Sequence, residues 1–184
     1  MTKQRFIAAA AALAVFAAVI FSVPSFARKF IYPRKYSDIV EKYASRNGLD
    51  KYFVYAVIKT ESNFDPAAVS NAGAKGLMQI MEDSFDWVKF KMNDDSCSES
   101  YGDICDPETN IKYGTYLLRL LMEEYGSEET AAAAYHTGRG NVNSWLENKS
   151  YSPDGATLTD MPSSVTKHYV NKVMTAYAGY NNLY

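Results

Sequence analysis

From Ser37 to the C-terminus, apolar residues recur at intervals of three and four, and strict alternation is scarce. That period predicts amphipathic helices rather than half-buried strands. A first helix carries Ile39, Val40, Tyr43 and Ala44, with Ser37 as its cap and Asn47-Gly48 as its stop. A second, capped by Asp50, carries Phe53, Val54, Val57, Ile58, Glu61 and Phe64. Pro66 ends it, because Asp65 before a proline is pushed out of helical geometry. Residues 70–75 form a Gly/Asn/Ser turn region, 76–81 open a short helix, and Ser84 restarts one that runs through Met92. Residues 93–104 read as a polar, acidic loop. Asp106-Pro107 then starts a long helix bearing Ile111, Gly114, Leu117, Leu118, Leu121 and Met122, which stops at Gly126. An Ala-rich stretch at 130–136 is broken by Thr137-Gly138-Arg139-Gly140, and a further helix follows at 141–147. After a loop at 150–161, a last helix spans 164–177. Neither a long repeat nor an interdomain linker interrupts this pattern, so the expectation is one compact all-α domain of about 150 residues.

The N-terminus is patterned differently. Lys3 and Arg5 precede an apolar run from 6 to 23 with Ser22 as its one polar interruption; Pro24, Ser25, Phe26 and Ala27 come next, then Arg28 and Lys29. A positive flank, an apolar stretch and small residues at 25 and 27 fit a secretory signal cleaved after Ala27. The run also approaches the length of a membrane-spanning helix. Residues 1–27 are therefore expected to be a signal peptide or a membrane anchor. The anchor is slightly favoured by the positives at 28, 29, 34 and 35, although these oppose export of the domain downstream of them. Residues 28–184 are the folded domain, expected on the extracytoplasmic side, secreted or anchored.

Of 184 residues, 47% are hydrophobic and 22% charged, which suffices for an ordered core. The net charge is −2. Without residues 1–27 the chain keeps 17 basic and 21 acidic side chains, a balance with no nucleic-acid footprint. Fifteen tyrosines suit amphipathic surfaces or a wet groove lined with rings. Export makes Cys97 and Cys105 candidates for a disulfide closing a short loop, the alternative being two free thiols. Asp94, Asp95, Glu99 and Asp103 lack the spacing of a calcium loop and read as a solvated acidic segment. No metal or cofactor is expected, and nothing signals self-association beyond a monomer.

Glu61 carries the clearest chemical signal. Val57 lies four residues before it and Phe64 three after, so its carboxylate falls on the apolar stripe of the second helix. Burial disfavours the charged form and suits a general acid, whereas a Glu that reaches solvent or pairs with a base does nothing of the kind. Three segments accompany it: Glu61-Ser62-Asn63-Phe64 at a helix end, the glycine-bracketed stretch 73–81 with Gln79 among apolar residues, and Ala134-Tyr135-His136-Thr137-Gly138.

In order and spacing, E-S-N-F-D-P-x-A-V-S, G-A-K-G-L-M-Q-I-M, A-Y-H-T-G-x-G-N-V and a late H-Y-V-x-K-V resemble the lytic transglycosylase family related to goose-type lysozyme. The resemblance, to the catalytic domain of soluble murein transglycosylases, covers about residues 36–184 and implies a lysozyme-like helical domain. It implies that Glu61 is the single catalytic acid/base, that Ser70 lines the sugar site, and that Gln79 and Met81 belong to the glycan groove. Tyr135 matches a tyrosine beside the catalytic carboxylate, and Tyr169 the fourth-motif tyrosine that closes the site. His136 stands where the family has Asn, so it alters polar contacts at the sugar or merely bonds a helix end. Val165-Thr166 stands where Glu-Thr is common. His168 reads as a surface residue.

The implied substrate is the peptidoglycan glycan strand, cut at the β-1,4 bond between N-acetylmuramic acid and N-acetylglucosamine to leave 1,6-anhydromuramic ends, without a cofactor. The alternatives are a lysozyme-type hydrolase, which needs a positioned water and a second carboxylate, a non-catalytic peptidoglycan-binding module, and an anchored protein that binds another protein.

Overall fold

A computed structural model of the chain describes residues 26–94 and 98–184. The described residues fold as α1 (Ser37–Arg46), α2 (Lys51–Ser62), α3 (Glu82–Met92), α4 (Pro107–Tyr125), α5 (Glu128–Thr137), α6 (Arg139–Leu146) and α7 (Ser164–Leu183). Short helical turns stand at Ala27–Ile31 and Tyr101–Asp103. Most of the expected signal or anchor segment lies outside the described residues, as do Asp95 and Cys97; Cys105 is exposed. Among the described residues no helix is long and apolar enough to cross a membrane.

The core is built around α2. Phe53, Val54, Tyr55, Ala56, Val57 and Ile58 are all buried, so this helix is enclosed rather than laid on a surface. It packs against α1 and, most extensively, α7, which contributes Tyr169, Val170, Val173, Ala176 and Tyr180. Each large apolar side chain so enclosed contributes about 1.5–3 kcal/mol relative to exposure. On the other side, α4 packs against α1, α3 and α5. Ala131, Ala132, Ala133 and Ala134 are buried on α5, where small side chains let it sit close to α4, α6 and α7.

Most helix boundaries follow the local chemistry. Asp50 caps α2 by accepting from Tyr52 N, and Asp106 caps α4 by accepting from Thr109 N with Pro107 in the first turn. Gly126 ends α4 at φ 65. Others differ from expectation. Ser37 is the first residue of α1 and not its cap; Tyr36 occupies that position at φ 57 with no side-chain cap. α3 begins at Glu82, two residues before Ser84, and α6 begins at Arg139 because Gly138 alone (φ 86, ψ 152) makes the break. α7 runs on to Leu183, held by packing of Tyr180 that reaches beyond the local pattern. Glu99 is not simply solvated: it pairs with Lys112 at 2.6 Å in a half-buried position.

Candidate active site

α2 stops at Ser62, before Pro66 can act. Asn63 and Phe64 both take left-handed backbone, at φ 50 and φ 65. For a bulky residue such as Phe64 that conformation is costly, and it is held by burial of the ring against Tyr55. The turn leaves Glu61 in the final turn of the most enclosed helix of the fold. Ser62 Oγ donates to Leu77 O at 2.8 Å, fastening this helix end to the segment 73–81.

Residues 70–75 turn as expected, but 76–81 are not the short helix the sequence suggests. The segment is a run of turns with isolated antiparallel bridges between Val69 and Lys75 and between Lys75 and Ile80. Three features displace the helical hydrogen bonds. Gly76 sits at φ 78, where a Cβ would stand 2.2 Å from Asn110 Nδ2. Gln79 adopts φ 49, and its amide donates to Ala68 O (3.0 Å) and Gly76 O (2.9 Å). Asn110, fully buried on α4, accepts from Met78 N at 2.7 Å and donates to Lys75 O and Ile104 O. The loop thus adds bonds from a distant helix at Met78 N and Lys75 O to its own local ones. Gly114, one turn along α4, leaves room for Met78, whose Sδ would lie 2.4 Å from a Cβ there.

Two tyrosines close the site from behind. Tyr169 Oη donates to Glu61 Oε1 at 2.6 Å, and Tyr135 Oη donates to Met78 O at 2.6 Å. The His136 ring stacks on Tyr169, centroids 4.3 Å apart and planes 12° from parallel. Burial pushes the Glu61 carboxyl up to about 7, against the opposing pull of the Tyr169 hydrogen bond and then the Lys172 charge. Burial, and then the Glu61 charge, holds both tyrosines well above the usual phenol range, so they remain donors. Burial lowers the His136 imidazole.

In front of Glu61 lies a groove of about 650 Å³. Glu61 and Gln79 line it with Ser62, Asn63, Ala68 and Val69 on one side. Glu61 is the only carboxylate among the described residues lining it; Asp65 turns away to accept from Ala67 N. Of the other candidate residues, Ser70 does not line the groove: its hydroxyl accepts from Ala74 N at 3.0 Å and shapes the turn. Met81 is 40% exposed at the start of α3, outside the lining. His168 is exposed. The groove also contains residues that the sequence did not single out, namely Tyr32, Lys59 and Lys172. Lys172 belongs to the late H-Y-V-x-K-V stretch, but no spacing signal ties Tyr32 or Lys59 to Glu61. Among the described residues no cluster of His, Cys, Asp and Glu could hold a metal ion.

A family model for the transglycosylase SLT domain matches residues 38–157, which contain Glu61, the 73–81 loop and Tyr135. The chain belongs to the transglycosylase SLT domain family. The soluble lytic murein transglycosylase of Escherichia coli K12 is 34% identical over 151 residues, which is 81% of this chain and 23% of that protein. Membrane-bound lytic murein transglycosylase C of Pectobacterium atrosepticum is 33% identical over 166 residues, 79% of this chain and 46% of that protein. The crystal structure of the 70-kDa soluble lytic transglycosylase of Escherichia coli superposes with a TM-score of 0.72 and 31% identity, over 82% of this chain and 25% of that one. A complex of the 70-kDa soluble lytic transglycosylase with bulgecin A matches equally well. This SLT domain chain therefore spans from about a quarter to about half the length of these relatives. Its all-α, lysozyme-like architecture is theirs, and Tyr169, beyond the matched residues, completes the site from α7.

Proposed function

We propose that the protein is a peptidoglycan lytic transglycosylase in which Glu61 acts first as acid and then as base. A single observation carries this reading: one carboxyl group, alone in its groove, is held near neutrality by burial while Tyr169 fixes its orientation. The names of the relatives, all lytic murein transglycosylases, supply the substrate.

Glycosidases in general use two carboxyl groups, one on each side of the bond. A lone acid is sufficient when the substrate provides the nucleophile. Protonated Glu61 gives its proton to the bridging oxygen as the C1–O bond of N-acetylmuramic acid breaks. The N-acetyl carbonyl oxygen of the same sugar steadies the positive C1 centre. Glu61, now a carboxylate, takes the proton of that sugar's 6-hydroxyl, whose oxygen closes on C1. Glu61 ends protonated as it began, no water is consumed, and the product is a 1,6-anhydromuramic end. The 73–81 loop, with Gln79 on the groove wall, forms one bank for the glycan. His136 acts on Glu61 indirectly, by stacking on Tyr169. Residues 1–27 would deliver the domain to the cell-wall side as a signal or an anchor.

Glu61→Gln tests the assignment. It preserves size and the hydrogen bond from Tyr169 while removing the proton donor. Release of soluble muropeptides from purified peptidoglycan is expected to fall by ~10²–10⁴-fold, the usual worth of general acid–base catalysis, with the circular dichroism spectrum retained. Release at the wild-type rate would remove Glu61 from the mechanism.

A further inference from the structure

The basic residues ahead of α1 have no part in the chemistry above. Arg28, Lys29, Arg34 and Lys35 oppose export of the domain behind them, and none of them lines the groove at Glu61. No acid stands between Phe26 and Ser37; Asp38 and Glu41 are the first that follow, and Glu41 is paired with Lys51 at 2.9 Å. Among the described residues no ion pair engages any of the four cations.

A turn closed by Tyr32 N donating to Ala27 O at 2.8 Å sets how this stretch faces. With a bond of that span, residues four and five apart fall on one side. Phe26, Phe30 and Ile31 are so spaced, and the two phenylalanine rings lie 4.9 Å apart. These side chains are 58%, 62% and 45% exposed. Arg28 goes the other way, and its Nε donates to Leu183 O at 2.7 Å.

The exposure is not that of a loose tail. Tyr184 Oη donates between Arg28 O (3.1 Å) and Tyr32 O (3.0 Å), and Tyr180 Oη donates to Pro33 O at 2.9 Å. The Tyr32 ring seats over Gly179, where a Cβ would come within 2.2 Å of its Cζ. The Arg34 guanidinium lies 4.1 Å from the Tyr184 ring centroid. The end of α7 thus holds this backbone from behind, with Arg28 and Arg34 as brackets. The apolar side chains are presented on the free side, with Lys29 Nζ 5.4 Å from the Phe30 centroid and Lys35 exposed further along.

We propose that Phe30 and Ile31, with Lys29 and Lys35, form a docking surface for an anionic lipid membrane, which Phe26 joins in the uncleaved chain. Apolar side chains interleaved with cations are suited to the headgroup boundary. The ring and the branched chain sink towards the acyl chains, and the ammonium groups stay at the lipid phosphates. The lack of any acid in the stretch favours a uniformly anionic surface over a protein of mixed charge. The same strap carries Tyr32 to the groove wall, so docking sets how the groove lies relative to the lipid. The surface does not depend on which bond is cut at Glu61.

The test is tryptophan fluorescence of the full-length chain carrying Phe30→Trp, reconstituted with vesicles whose acyl chains are brominated. The chain without that substitution supplies the signal of Trp87 and Trp145 for subtraction. A tether alone would keep position 30 near lipid whatever the headgroup, so headgroup dependence is the deciding readout. Quenching of the added tryptophan is expected to be roughly three- to fivefold greater with phosphatidylglycerol than with phosphatidylcholine, and to decline as salt is raised. Adding Lys29→Gln and Lys35→Gln should bring the two lipids to one value, whereas Lys29→Arg with Lys35→Arg should keep them apart. Equal quenching in the two lipids with the lysines intact, or a difference that survives their neutralisation, overturns the proposal. Emission of a water-exposed tryptophan in both lipids overturns it as well.

Discussion

Glu61 has its ordinary carboxyl range lifted from 4.5 to about 7 because it ends the most enclosed helix of the fold. The acid form is the one needed for the first step, so cleavage should decline as pH rises through about 7. Tyr169→Phe removes a donor to the carboxylate, and that donor favours the charged form. The alkaline limb of the rate profile should therefore move to higher pH in this variant; a limb that stays in place would separate the tyrosine from the titration. The same shift bears on stability. Glu61 holds its proton in the fold at pH values where the unfolded chain has lost it, so the fold weakens as pH rises from about 4.5 through 7. Glu61→Gln should accordingly melt above wild type at pH 8, by an amount on the order of 3 kcal/mol. The difference should close at pH 4, where both states of the wild type are protonated. Equal melting at pH 8 would contradict the desolvation.

The helices could be read from the chain wherever a boundary is set by adjacent residues. Asp50, Asp106-Pro107 and Gly126 act within one turn of themselves, and the helices they bound are where the period placed them. Glu61 could be read for the same reason, since Val57 and Phe64 mark its stripe. Segment 76–81 could not. A short helix is expected over 76–81, but Met78 N–H bonds Asn110, 32 residues further along the chain, and left-handed Gln79 has no local signature. Lys59 and Tyr32 were hidden similarly, because α7 brings them to one groove by packing on α2 and under the Tyr32 ring at Gly179 and Tyr180. Asn110→Ala tests the dependence of the loop on α4. It leaves Met78 N–H and Ile104 O without their partner, while Lys75 O still accepts from Ile80 N; each orphaned group costs about 1–3 kcal/mol when buried. A chemical denaturation curve should show a loss of at least that size, with cleavage falling in parallel as Gln79 and the end of α2 lose their register. A variant of wild-type stability would show that the loop holds itself.

On the scale of the molecule, the described residues ahead of α1 are joined to the end of α7. Arg28 Nε donates to Leu183 O, Tyr180 Oη to Pro33 O, and the Arg34 guanidinium lies 4.1 Å from the Tyr184 ring centroid. The residues just after the expected signal or anchor are thus strapped to α7, the helix that also presents Tyr169 to Glu61. Tyr32, in the same stretch, lines the groove. The SLT domain family supplies the frame, and the proposed chemistry rests on Glu61, the one carboxyl group among the described residues lining the groove. The most direct measurement is the mass of the products when the intact protein digests purified peptidoglycan. The account predicts muropeptides ending in 1,6-anhydromuramic acid, one water lighter than hydrolysed ends and absent with Glu61→Gln. Reducing ends in their place would mean that water attacks C1, and would contradict a mechanism in which the sugar's own 6-hydroxyl closes the ring.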